Sequence, residues 1–186
     1  MRLFVALNLP KKDRERIHRS TRKLRDEELP VRWVDVDGLH VTLKFLGEVR
    51  RERLEQVQEA MNRVAASTKA FKTKYGGFGA FPSVRQPRVI WLGVKANPEL
   101  RCLKQDLEYS FGDVGFDAET RAFHPHVTLG RAEEREGAGA FRTLDDMLSE
   151  LDCMGDVKVT TIDLMRSQLA PGGSKYTLVS SAKLAD

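Results

Sequence analysis

Leu39-His40-Val41-Thr42-Leu43-Lys44-Phe45 carries the reading of this chain, because its centre returns as His126-Val127-Thr128-Leu129. The two tetrapeptides are separated by nearly half of the 186 residues and use two of the four histidines. Both copies alternate polar and apolar residues, the period of a half-buried strand. His40, Thr42 and Lys44 therefore share one face. Val41, Leu43 and Phe45 share the other, which puts Phe45 in the core. In the second copy, His126 and Thr128 are set against Val127 and Leu129.

Around each copy the elements come in a similar order. Arg2 to Leu9 reads as a strand, and Pro10 opens a helix in which Ile17, Thr21 and Leu24 share a face. Arg32 to Leu46 is rich in β formers. Leu54, Val57, Met61 and Val64 recur at helical spacing. Phe71 to Ala80 and Arg88 to Val94 read as strands joined by Pro82-Ser83-Val84-Arg85-Gln86-Pro87. Asn97-Pro98 is a helix start, a capping side chain followed by proline at the first helical position, and Leu100, Leu103, Leu107 and Phe111 form its apolar face. Ala122 to Leu129 reads as a strand and Gly137-Ala138-Gly139 as a loop. Phe141, Leu144, Met147 and Leu151 mark a last helix. Val157 to Leu164 and Tyr176 to Leu184 read as closing strands joined through Pro171-Gly172-Gly173. The repeated order and the repeated tetrapeptide describe an internal duplication. One α+β domain over 1–186 is expected, with repeat halves of about 1–96 and 97–186, an antiparallel sheet in each of two lobes, helices outside and a cleft between.

Composition narrows the function classes. With 41% hydrophobic residues the chain can build a core, and it has no apolar run long enough for a membrane helix. Leu3 to Leu9 is too short for a signal peptide and lacks a cleavage site. Two cysteines make no disulfide framework, and Cys102, beside Leu103, reads as a buried thiol. A reducing cytoplasm is the expected compartment. The net charge of +4 permits an anionic partner. The first helix is the most basic segment, with Lys11, Lys12, Arg14, Arg16, Arg19, Arg22, Lys23 and Arg25.

Two facing His/Thr pairs suit one kind of chemistry. Imidazole titrates near neutrality, so one ring can take a proton from water while the other gives one to a leaving oxygen. Threonine hydroxyls can donate to phosphoryl oxygens. Phosphodiester hydrolysis by water needs no more than this. Two other readings use the same residues. His40, His124 and His126 could make a three-histidine zinc site, although Gly38 stands in the first copy where His124 stands in the second. A non-catalytic RNA-binding cleft would use the basic helix.

The paired His-x-Thr motifs resemble those of the two-histidine phosphoesterases, and more narrowly the RNA 2′,3′-cyclic phosphodiesterases, also called 2′-5′ RNA ligases. Met1-Arg2-Leu3-Phe4-Val5-Ala6 is similar to that family's opening strand, and Arg32-Trp33-Val34 with Leu39 to Gly47 to its first motif. Phe78-Gly79-Ala80-Phe81-Pro82 with Pro87-Arg88-Val89-Ile90-Trp91 resembles its hairpin, and Phe123 to Arg131 its second motif. Ser167, Leu169 and Gly173 to Tyr176 resemble its closing strands. The resemblance implies hydrolysis of RNA 2′,3′-cyclic phosphate ends to 2′-phosphomonoesters without metal or cofactor, and 2′-5′ ligation as the reverse reaction. It implies His40 as acid, His126 as base, Thr42 and Thr128 on the phosphoryl oxygens, and Arg131 and Tyr176 as substrate contacts. Trp33, Phe45 and Tyr176 are the candidates for stacking on a base, Phe45 being disfavoured by alternation.

Overall fold

The computed structural model describes residues 1–133, 137 and 139–186. Ala138, at the centre of the expected Gly137–Gly139 loop, lies outside the described residues. Strands β1 (Arg2–Asn8), β2 (Val31–Trp33), β3 (His40–Glu48), β4 (Phe71–Phe81), β5 (Val89–Val94), β6 (His126–Ala132), β7 (Gly155–Val159), β8 (Thr161–Ala170) and β9 (Gly173–Lys183) are joined with helices α1 (Lys11–Ser20), α2 (Arg22–Asp26), α3 (Leu54–Ser67), α4 (Pro98–Gly112) and α5 (Leu144–Glu150). The expected cap is present: Asn97 Oδ1 accepts from the Leu100 N–H at 3.0 Å. No helix among the described residues is long and apolar enough to cross a membrane.

The two expected sheets are joined as one continuous nine-stranded sheet: the order β7-β4-β5-β6 runs on into β3-β1-β8-β9 through the register pair Val41 with Val127. β2 lies along β6 beside that seam. The lobes do not follow the sequence halves. β4 and β5 precede residue 97 yet lie between β7 and β6, while β8 and β9 flank β1 at the other end of the sheet. The expected single strand from Val157 to Leu164 is divided at Thr160. Its first part pairs with β4 and its second with β1. The apolar positions shift by one residue there, from Val157 and Val159 to Ile162 and Leu164, a break that a reading as one strand passes over.

Helices cover one face of the sheet. α3 packs on α4 and on β8 and β9, and α5 packs on β4. Ile17, Thr21 and Leu24 are buried as expected, as are Leu100, Leu103, Leu107 and Phe111. Cys102 is exposed, not buried, while Cys153 is buried. One residue of helical rotation, about 100°, carries Cys102 off the Leu103 face. The opposite sheet face is left open. On the lobe of β1 it carries a separate small apolar cluster, Phe4, Ala6 and Met165, with Tyr176 packed against it.

Candidate active site

The crossing of β3 and β6 at Val41 and Val127 puts the two motifs side by side. An antiparallel register through that pair sets His40 beside Thr128 and Thr42 beside His126. The two histidines become diagonal neighbours, about 7–8 Å apart in a regular ladder. Val41 and Val127 are buried, and all four His and Thr side chains are partly open to solvent. The two motifs thus share one face of the sheet, on adjacent strands.

Each imidazole is held in the same way. His40 Nδ1 lies 2.7 Å from the Gly38 carbonyl, and His126 Nδ1 lies 2.6 Å from the His124 carbonyl. A carbonyl only accepts, so Nδ1 carries the proton in each ring and Nε2 is left to work. His40 Nε2 is 3.1 Å from Thr42 Oγ1. Burial holds both rings below the usual imidazole range, opposed by those carbonyl hydrogen bonds, and the Arg131 charge acts on both in the direction of burial. His126 adds to the depression at His40, and His124 adds to that at His126.

Both strands are then broken by a bulge at the same place in the motif. Ala6 pairs with Thr42 and Val5 with Lys44, leaving Leu43 extra; Trp91 pairs with Thr128 and Ile90 with Gly130, leaving Leu129 extra. A bulge reverses the faces of all that follows. Lys44 therefore leaves the histidine face, where alternation placed it, and is 3% exposed beside Glu108. Phe45, expected in the core, is 59% exposed on the open face, 6.0 Å from the Phe4 ring. Arg131, at the equivalent place in the second motif, is exposed, and its charge acts on both imidazoles. The bulge carbonyls are both used: Leu43 O accepts from Lys104 Nζ at 2.6 Å, and Leu129 O accepts from the Val34 N–H at 2.8 Å.

Aromatic rings wall both imidazoles. Tyr176 meets His40 edge-on at 4.9 Å, with Phe4 at 5.1 Å. Phe81 meets His126 edge-on at 5.2 Å, with Trp91 at 6.5 Å. In the sequence, Phe4, Phe81 and Trp91 read only as parts of strands and the hairpin, not as residues of the site. The available signals were five consecutive buried residues in β1, meaning a strand covered on both faces, and Gly79 inside β4. A Cβ on Gly79 would fall inside the Trp91 ring, and a mid-strand glycine marks such an approach. Trp33 lies instead over Gly130, packed against the main core. His124 is exposed, 6.2 Å from Phe81, and among the described residues no three His, Cys, Asp or Glu side chains converge as a metal site.

The duplicated sheet and the paired imidazoles in its open cleft define a two-histidine phosphoesterase. The model of the 2′-5′ RNA ligase superfamily matches residues 10–170, and the chain belongs to that family. It is 32% identical over 178 residues to an RNA 2′,3′-cyclic phosphodiesterase of Methanothermobacter thermautotrophicus, covering 95% of each chain. It is likewise 32% identical over 180 residues to that of Thermotoga maritima, covering 96% of this chain and 93% of the relative. A Thermus thermophilus crystal structure superposes with a TM-score of 0.83 at 27% identity, over 99% and 98% of the two chains. E. coli LigT in complex with 3′-AMP gives 0.76 at 29% identity, over 100% and 98%.

Proposed function

We propose that this chain hydrolyses the 2′,3′-cyclic phosphate at an RNA end to a 2′-phosphomonoester, as one bilobed unit over 1–186, with no metal or cofactor. The observation that carries the reading is the pair of Nδ1-anchored imidazoles on strands crossing at Val41 and Val127. The phosphoryl group sits between them, with Thr42 and Thr128 donating to its non-bridging oxygens. Water attacks phosphorus and gives a proton to His126 Nε2. The bond to the 3′-oxygen breaks, and that oxygen takes the proton of His40 Nε2. Hydroxyl groups fixed before the reaction stabilise charge without reorganising. A bound phosphodiester anion opposes the burial that depresses His40 and supplies the protonated acid this step needs.

Arg131 adds a cation beside the phosphoryl group, and Tyr176, with exposed Phe45 near it, offers a surface for the terminal base. Stacking of this kind is worth about 1–3 kcal/mol per base. That LigT was crystallised with 3′-AMP supports a nucleotide in this cleft. Joining 2′-5′ ends is the same displacement with the 5′-hydroxyl of a second RNA in place of water. Its oxygen bonds to phosphorus, its proton goes to His126, and the 3′-oxygen leaves with the proton of His40. Water in large excess favours hydrolysis. The two free thiols suit a cytoplasmic enzyme.

The test is an RNA ending in a 2′,3′-cyclic phosphate, incubated at neutral pH with excess chelator. The expected result is opening to the 2′-phosphate by wild type and loss of turnover in His40→Ala and His126→Ala. An intact cyclic end with wild type, or turnover at the wild-type rate in both variants, overturns the proposal.

A further inference from the structure

An open groove of about 650 Å³ lies at the end of β4, β5 and β7 remote from the β4–β5 turn. Five lysines line it: Lys12, Lys72, Lys74, Lys95 and Lys158. Two carboxylates share the lining. Asp13 is buried and accepts from the Tyr75 hydroxyl at 2.8 Å, and it has no cation within 4 Å among the described residues. Asp156 lies 3.9 Å from Lys74, the only one of the five with a carboxylate within 4 Å among the described residues. Lys72 and Lys158 are direct cross-strand partners. Like charges directly opposite destabilise a sheet, and here no acidic side chain separates them.

The register puts Lys72, Lys74, Lys95 and Lys158 on the open face of the sheet, while Lys12 lines the groove from helix α1. Thr73 and Tyr75 are buried on the core side, and Tyr75 pairs with Val94. Lys72, Lys74 and Lys95 therefore alternate onto the face of Trp91 and His126. Gly93 is the partner of His126, and Lys95 follows two residues on, about 7 Å along the strand. Lys95 donates its N–H to the Lys74 carbonyl at 2.8 Å, so the two lie side by side. From His126 outward the face reads Lys95 with Lys74, then Lys72 with Lys158. The basic first helix contributes mainly Lys12. Lys11, Arg14 and Arg22 face Glu15, Asp37 and Asp26 instead.

We infer that this groove binds the phosphate backbone of the RNA body leading to the terminal phosphate. The inference rests on the proposed function and adds where the rest of the substrate runs. It makes the enzyme sensitive to substrate length, because a mononucleotide fills the cleft and never reaches the lysines.

The experiment compares a nucleoside 2′,3′-cyclic monophosphate with a short RNA oligonucleotide carrying the same end. The variant combines Lys72→Gln, Lys74→Gln and Lys158→Gln. For the oligonucleotide, kcat/KM is expected to fall roughly ten-fold or more, and the logarithmic salt slope to shrink by about 2, at about 0.7 per phosphate contact for a single strand. Turnover of the monophosphate is expected to stay within about two-fold of wild type, which also reports correct folding. Equal effects on both substrates, or none on the oligonucleotide, overturn the inference. Binding of the oligonucleotide, read by fluorescence anisotropy, separates the two claims. If wild type opens neither substrate, the hydrolytic reading fails, while salt-sensitive binding lost in the variant still supports the groove, and unchanged binding refutes it.

Discussion

Lys104 Nζ donates to the backbone carbonyl of Leu43 at 2.6 Å, clamping helix α4 to the bulge that follows the first histidine motif. Glu108 ties the clamp together. It accepts from Lys104 at 2.7 Å and from buried Lys44 at 2.8 Å, while Lys44 also donates to the Asp117 carbonyl at 2.6 Å.

Glu108→Gln removes the charge that Lys44 and Lys104 share and leaves Lys44 buried without its counter-charge. Breaking a buried pair from one side costs about 3–5 kcal/mol. A urea midpoint should fall accordingly at pH 7, with activity per folded molecule reduced as Phe45 and His40 lose their register. Burial acts to raise the Glu108 carboxyl, but the Lys104 and Lys44 hydrogen bonds win and hold it below its ordinary value. A depressed carboxylate stabilises the fold above its unfolded pKa and loses that contribution as pH falls through the folded value. Wild type should therefore lose this advantage under acid conditions, narrowing its gap to the variant.

The pH–rate profile should be displaced to the acid side. Burial and the Arg131 charge keep both free imidazoles under the ordinary 6.5. The bell in kcat/KM reports the free enzyme, so both limbs should lie below 6.5, with the kcat optimum higher because bound phosphodiester favours imidazolium. Arg131→Gln should move both limbs upward and raise KM. A kcat/KM optimum well above pH 7 in wild type would contradict this. Stability carries the same sign: a depressed histidine contributes fully above 6.5 and loses that contribution as pH falls through its folded value, so the thermal midpoint should drop under acid conditions.

Replacing His40 or His126 by Asn keeps a polar side chain but removes the proton-transfer nitrogen. Each should lower kcat by about 10²–10⁴, the usual worth of a positioned acid or base. The double variant should be little worse than the weaker single, because the two act as a unit. Single-turnover kinetics on a cyclic monophosphate would check both statements.

Gly79→Ala should push the Trp91 ring from its seat, since the added Cβ would occupy ring space. Overpacking of this kind costs about 1–3 kcal/mol. Because Trp91 walls His126, turnover should fall too. Pairing the change with Trp91→Leu should restore part of both, visible as coupling in a double-mutant cycle.

Alternation and spacing gave the strands, the facing histidines and the duplication, because burying one face of a strand or helix writes a period into the sequence. Three features escaped that period. The bulges at Leu43 and Leu129 add a residue with no compositional mark, so Phe45 was assigned to the core and Lys44 to the cleft. The crossover at Thr160 changes the pairing partner from β4 to β1 and moves the apolar rhythm by only one residue, within two adjacent threonines. The aromatic walls come from β1, β4, β5 and β9, brought beside the histidines by long-range pairing that no local pattern records.

Because β8 and β9 return to β1, the edge opened by the first strand closes only when the last strands arrive. A ribosome that has released everything up to residue 160 has produced both histidine motifs and seven of the nine strands, but has left β1 as an unpaired edge. Folding is thereby deferred to the end of translation, and a chain cut short there would expose a bare apolar edge to chaperones and proteases instead of lingering as a half-active fragment.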